Sequence, residues 1–186
     1  MSIAEWNERY RVGEQVFRTP APLVARFSEE LAPGMALDIA CGPGRNALYL
    51  AEHGWRVTAV DGSPLAIDLL KERARAKSLA IDARVADLER DDFAIQPEAY
   101  DLICDCYYLQ RELIPPLKAG LKPGGTIIVI VHLADPDQSR GTPTRAYPGE
   151  LRMSFQDWAI LHYYEGKPTE TCHQRHVAEL VARKPA

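Results

Sequence analysis

Three aspartates in the first half of the chain accompany short apolar runs. Asp38 lies within Met35-Ala-Leu-Asp-Ile39, Asp61 ends Trp55-Arg-Val57-Thr-Ala59-Val60, and Asp87 follows Ile81 to Ala86. Directly after the first run come two glycines in three residues, in Ala40-Cys41-Gly42-Pro43-Gly44-Arg45-Asn46. A glycine turn lets backbone approach a ligand, because no Cβ stands in the way. A carboxylate beside such a turn suits a ligand with a positive group and repels a pyrophosphate. An acid at the end of the next strand is what a ribose diol requires, since it accepts two hydroxyl hydrogens. The second half offers other chemistry: Cys104, Tyr107, Tyr108, Arg111 and His132. Arg111 could orient an anion, and His132 or either tyrosine could take a proton.

Regular elements must position these groups. Met35 to Ile39 reads as a buried strand, and Ala47 to His53 has helical spacing closed by Gly54. Strand, glycine turn and helix is the unit that presents backbone at the carboxyl end of a parallel strand. A second strand runs to Asp61, followed by Gly62 and then Ser63-Pro64, an N-cap and first-position proline for a helix reaching about Lys77. Strand three is Ile81 to Ala86, followed by Asp87 and Leu88; strand four is Tyr100 to Cys104. Leu113 to Leu121 reads as helical, Lys122-Pro-Gly-Gly125 as a tight turn, and Thr126 to Val131 as a strand buried on both faces. Trp158 to Tyr164 and His176 to Ala182 read as a closing antiparallel hairpin. Near the start, Ile3 to Arg11 and a segment after Pro22 read as helices, with Val12 to Ala21 irregular between them.

Gly42-Pro-Gly44-Arg-Asn-Ala47 fits a dinucleotide fingerprint, so a nucleotide- or dinucleotide-binding module without methyl transfer is the alternative reading. Asp38 and the antiparallel ending count against it. Asp38-Ile-Ala-Cys-Gly42-Pro-Gly44 instead resembles motif I of the class I S-adenosylmethionine-dependent methyltransferases, which usually have Gly where this chain has Ala40. Trp6-Asn-Glu-Arg9-Tyr10 resembles the opening of the small tellurite-resistance and thiopurine methyltransferases, in which the N-terminal segment folds over the cofactor. Ala86-Asp87 resembles the pair that receives the adenine, and Leu121-Lys-Pro-Gly-Gly another frequent feature of the class. Tyr107-Tyr-Leu-Gln-Arg111 resembles the small-molecule group; the Asn-Pro-Pro-aromatic signature of nucleic-acid amine methylation is absent, and Glu112 stands alone where protein arginine methyltransferases carry two glutamates.

The resemblance implies a doubly wound, Rossmann-like α/β fold with seven strands in the order 3-2-1-4-5-7-6, strand 7 antiparallel and helices on both faces. It implies S-adenosyl-L-methionine as cofactor, held by Asp38, Ala40, Cys41, Gly42, Gly44, Asn46, Asp61, Gly62, Ser63, Ala86, Asp87, Leu88, Cys104 and Tyr10. Cys104 is expected near Cys41 and the methyl group. A small-molecule acceptor is expected between the ends of strands four and five, walled by Tyr107, Tyr108, Arg111, the Trp6–Phe17 segment and a lid over Leu133 to Pro148.

The 186 residues suit one domain, with 1–34 as a helical cap and 35–186 as the core. A net charge of −4 leaves no basic footprint for nucleic acid or an anionic membrane. No apolar run approaches the roughly 20 residues of a membrane span, and the N-terminus lacks a signal-peptide pattern. A cytoplasmic protein with reduced cysteines, monomeric or homodimeric, is expected. Cys172, His173 and His176 lack a fourth ligand and a recognised spacing, so no metal site is expected.

Overall fold

The computed structural model describes residues 2–14, 17–135, 141–170 and 174–186. Cys172 and His173, and the stretch 136–140 of the expected lid, lie outside the described residues. One seven-stranded sheet forms, in the order β3-β2-β1-β4-β5-β7-β6. The chain gathers into two compact units, Met1–Ala94 and Ile95–Ala186.

The first unit holds α1 (Ile3–Arg11), α2 (Pro22–Glu29), β1 (Met35–Ile39), α3 (Arg45–Glu52), β2 (Arg56–Asp61), α4 (Pro64–Ala76) and β3 (Ile81–Val85). β1 pairs β2 and β2 pairs β3, both parallel. Each connection is a helix, as parallel pairing requires. Local chemistry fixes the helix starts. Ser2 and Glu5 form a capping box on α1, and the Ser63 hydroxyl accepts from Ala66 N at 3.0 Å with Pro64 opening α4. Leu37, Ile39, Leu50, Ile67 and Leu70 are fully buried between sheet and helices.

The second unit holds β4 (Tyr100–Cys106), α5 (Ile114–Gly120), β5 (Leu121–His132), α6 (Glu150–Ser154), β6 (Ala159–Gly166) and β7 (Val177–Arg183). β5 pairs β4 in parallel and β7 antiparallel, and β6 pairs β7 antiparallel. Its β-branched run is therefore covered on both sides, and Gly125 to Val131 are all buried. The expected turn at Lys122–Gly125 is instead a bulge inside one strand. Tyr100 and Leu102 of β4 face Leu121 and Thr126 of β5, so the intervening residues of β5 loop out while pairing continues. Gly124 takes φ +76° to allow this.

Candidate functional site

In the first unit, the carboxyl ends of β1 and β2 meet the amino ends of α3 and α4. Asp61, the last residue of β2, holds this junction together. One carboxylate oxygen accepts from Gly42 N and the other from Ser63 N, each at 2.8 Å. Burial pushes the Asp61 carboxyl above its usual value, while the two amides pull it down. Ala86 N donates to Asp61 O at 3.0 Å, which draws the end of β3 to the same place. Beyond it, Asp87 accepts from Glu89 N at 3.0 Å and pairs with Arg90 at 3.4 Å, while Leu88 is buried.

Asp38 is turned into the protein, behind the glycine turn. It is 1% exposed, and its carboxylate accepts from Ala47 N at 3.0 Å. The N-cap of α3 is Gly44, which has no side chain to offer, so Asp38 satisfies the third amide of that helix from the neighbouring strand. Burial pushes its carboxyl up to about 7, against the Ala47 amide, the Arg45 charge and the Asn46 side chain. Asn46 is turned inward in the same way. It is 4% exposed and its side-chain oxygen accepts from Ala21 N at 2.9 Å, tying the N-terminal segment to α3.

The two glycines differ in purpose. A Cβ at Gly44 would lie 2.3 Å from Leu70 Cδ1, so this glycine serves helix packing. A Cβ at Gly42 would lie 3.1 Å from the Tyr10 hydroxyl, so helix α1 comes down onto the turn. Ile3 likewise reaches Gly62, and the Ser63 hydroxyl donates to the Asn7 side-chain oxygen at 2.5 Å. α1 therefore lies across the ends of β1 and β2. Tyr10 is buried there, stacked on Trp6 at 5.7 Å, and burial with the nearby Asp61 charge raises its phenol. Ala40 has φ +49°, a backbone that glycine adopts without strain. Cys41 is buried, and burial raises its thiol well above the ordinary value. Sequence reasoning missed Arg73 on α4, which donates to Pro43 O at 2.7 Å and Phe17 O at 3.3 Å. A cleft of about 460 Å³ opens between α1 and α4, with Tyr10, Arg11, Leu65 and Asp68 among its walls.

In the second unit, Cys104 is fully buried within β4, so its side chain lines the core and no ligand surface. Tyr107 follows β4 with φ +67°; its hydroxyl donates to Glu170 at 2.5 Å, and its ring lies 5.3 Å from that of His132 at the end of β5. The Tyr108 hydroxyl donates to Gln110 at 2.7 Å. Arg111 is committed elsewhere. It pairs with Glu150 through Nε at 2.5 Å and Nη2 at 2.9 Å, and donates to Thr142 O at 2.8 Å and Arg145 O at 3.2 Å. It fastens part of the expected lid to α6, and does not await an anion. Sequence reasoning also missed Glu150 and Glu170, whose partners lie 39 and 63 residues away.

A family model for the tellurite resistance protein TehB matches residues 16–175. The chain belongs to the TehB family. Hemagglutinin 1 of Eikenella corrodens is 32% identical over 146 residues, 74% of this chain and 48% of that protein. A probable S-adenosyl-L-methionine-dependent methyltransferase TehB of Haemophilus influenzae is 30% identical over 145 residues, 73% of this chain and 49% of that one. This TehB-family chain thus spans about half the length of the curated relatives it matches. The crystal structure of TehB from Haemophilus influenzae superposes with a TM-score of 0.77 at 26% identity, covering 96% of this chain and 67% of the other. Among the described residues, no helix is long and apolar enough to cross a membrane.

Proposed function

We propose that this TehB-family chain transfers a methyl group from S-adenosylmethionine to a small-molecule acceptor. The observation that carries the reading is the junction at Asp61. There a carboxylate, the Gly42 turn and the amino end of α4 converge at the ends of two parallel strands. Each oxygen of Asp61 accepts one amide, and a carboxylate oxygen has room for a further donor, which suits it to the two hydroxyls of a ribose. Ala86, Asp87 and Leu88, beside it, would take the adenine edge. The Ala40–Gly42 turn and Tyr10 would take the methionine end, with Gly62 and Ser63 between them. Asp38, Asn46 and Gly44 act from behind, by holding α3 against that turn. The cofactor supplies the methyl group on a sulfonium; the protein supplies a dry, oriented site.

Residues 1–34 act as a cap within a single methyltransferase domain. The contacts of Tyr10 with Gly42, Ile3 with Gly62 and Asn7 with Ser63 support this. The name of the Haemophilus relative supports the activity. The net charge of −4 supports a small acceptor over nucleic acid. Calorimetry with S-adenosylhomocysteine tests the reading. Asp61→Ala should weaken its binding about ten- to hundredfold, through the loss of acceptors for buried hydroxyls. NADH should not bind. An unchanged dissociation constant would remove Asp61 from the site, and tight NADH binding would replace the cofactor.

A further inference from the structure

Resting on that reading, we infer that α1 is autoinhibitory: it lies on the groups assigned to the cofactor, and the cofactor gains its seat only when α1 lifts. Residues 3, 7 and 10 of α1 share one helix face by their spacing of four and three. Each touches a different part of the seat. Ile3 covers the strip beside the adenine position: a carbon added at Gly62 would lie 3.0 Å from Ile3 Cδ1 and 3.6 Å from Ala86 O. Asn7 accepts from the Ser63 hydroxyl at 2.5 Å. Tyr10 brings its hydroxyl to 3.1 Å from the point where a Cβ of Gly42 would stand.

These contacts leave no layer for a nucleoside beneath the helix. A flat ring held between two surfaces needs them roughly 7 Å apart, about twice an ordinary carbon–carbon contact. At Gly62 a single added carbon already meets Ile3. α1 and the cofactor therefore compete for the same backbone. Tyr10 meets the methionine end from the lifted helix.

The helix is also built to come away. Of its nine residues only Tyr10 is buried. Its start is closed by its own capping box, Ser2 with Glu5, so its helical form does not depend on the seat. After it the chain turns at Gly13, which has φ +79° and nothing within 4 Å of an added Cβ, and residues 11–14 are all exposed. The cleft of about 460 Å³ between α1 and α4 gives the helix room to shift without parting a packed core. The segment that begins at Phe17 is anchored instead. Phe17 O accepts from Arg73 at 3.3 Å, and Ala21 N donates to Asn46 at 2.9 Å. Lifting is thus confined to α1, and the glycine turn keeps its brace.

Apparent affinity falls in proportion to the fraction of molecules whose site is open. Loosening α1 should therefore tighten cofactor binding, whereas loosening a helix that only holds the cofactor down would weaken it. Ile3→Ala and Asn7→Ala, each in the full chain, remove a contact with the seat. Neither harms the helix, because alanine is the strongest helix former. In calorimetry each should tighten S-adenosylhomocysteine binding about three- to tenfold. In stopped-flow mixing, followed by tryptophan emission with Trp6 on the helix itself, the gain should lie in the association rate. Dissociation should stay within about twofold of the parent, since only the open fraction has changed. Weaker or unchanged binding in either variant, or a gain carried by slower dissociation, would overturn the inference and leave α1 a cap that never blocks the seat. Failure of the parent and both variants to bind S-adenosylhomocysteine would instead bring down the methyltransferase reading itself.

Discussion

In Met1–Ala94 the groups at the ends of β1 and β2 are peptide groups braced from behind. Asp38 holds the amide of Ala47, Asp61 those of Gly42 and Ser63, and Arg73 the carbonyls of Pro43 and Phe17. In Ile95–Ala186 the corresponding edge is made of side chains bound to one another: Tyr107 with Glu170, Tyr108 with Gln110, Arg111 with Glu150. A surface of backbone recognises what every member of a family shares, because substitution scarcely alters it. A surface of side chains can change its ligand by single replacements. On the proposed reading, the first unit would hold the cofactor and the second the acceptor.

The sharpest way to break this contrast compares two glycines with nearly equal backbone angles, one in each unit. Gly44 has φ +78° and Gly124 φ +76°. Alanine at either meets the same backbone penalty, roughly 1–2 kcal/mol. At Gly44 the new methyl would also strike Leu70, whereas nothing lies within 4 Å at Gly124. Overpacking adds about 1–3 kcal/mol. Urea denaturation should therefore show Gly44→Ala as the more damaging by about that amount. Equal losses would mean that the glycine turn is not braced by α4.

Arg111→Met should have the next largest effect. It leaves the Glu150 carboxylate, 8% exposed, without its cation, at a cost of about 1–3 kcal/mol. Amide exchange should rise around Thr142 and Arg145 and stay unchanged in Met1–Ala94. Unchanged exchange at Thr142 and Arg145 would show that Arg111 does not fasten that segment.

Asp38 gives the most specific effect, because it appears only as a dependence on pH. Its folded carboxyl is raised to about 7, and in the unfolded chain it titrates near the ordinary value of about 3.9. Between those values the folded state binds the extra proton. This contribution is therefore fully present at low pH and is lost as pH rises through about 7. Stability should fall with pH across that window, with a slope of up to about 1.4 kcal/mol per pH unit. Asp38→Asn keeps an acceptor for Ala47 N and should flatten the slope; Asp61, also raised, leaves a remainder of the same sign. Identical slopes in parent and variant would rule out Asp38 as the source.

The same contrast governs what the sequence made legible. The Ser63–Pro64 helix start and Asp61 at the end of β2 follow from signals a few residues long, and the strand order follows from the family resemblance. The orientation of Asp38 is not such a signal. A carboxylate before a glycine turn suits a cationic ligand whether it acts directly or through backbone, and only the structure shows that Gly44 cannot cap α3 and that Asp38 does. Arg111 reads as a free cation because Glu150 lies 39 residues on, and Tyr107 reads as one of two equal tyrosines because Glu170 lies 63 residues on. The bulge at Gly124 reads as a turn because Lys-Pro-Gly-Gly serves both, and only pairing on either side tells them apart.

Arg73 has a consequence for the order of assembly. Its two acceptors lie 30 and 56 residues earlier in the chain, so the bonds form only after two long loops have closed. Contacts that depend on such closure are made late, on the native side of the folding barrier. Loosening them should change how quickly the folded chain opens more than how quickly it forms. In stopped-flow measurements, Arg73→Met should steepen neither limb and raise the unfolding rate while leaving the refolding rate near that of the parent. A refolding rate that fell as much as stability did would place the glycine turn in the nucleus. If the turn is late, the edge at the ends of β1 and β2 is the last part of Met1–Ala94 to set and the first to come undone.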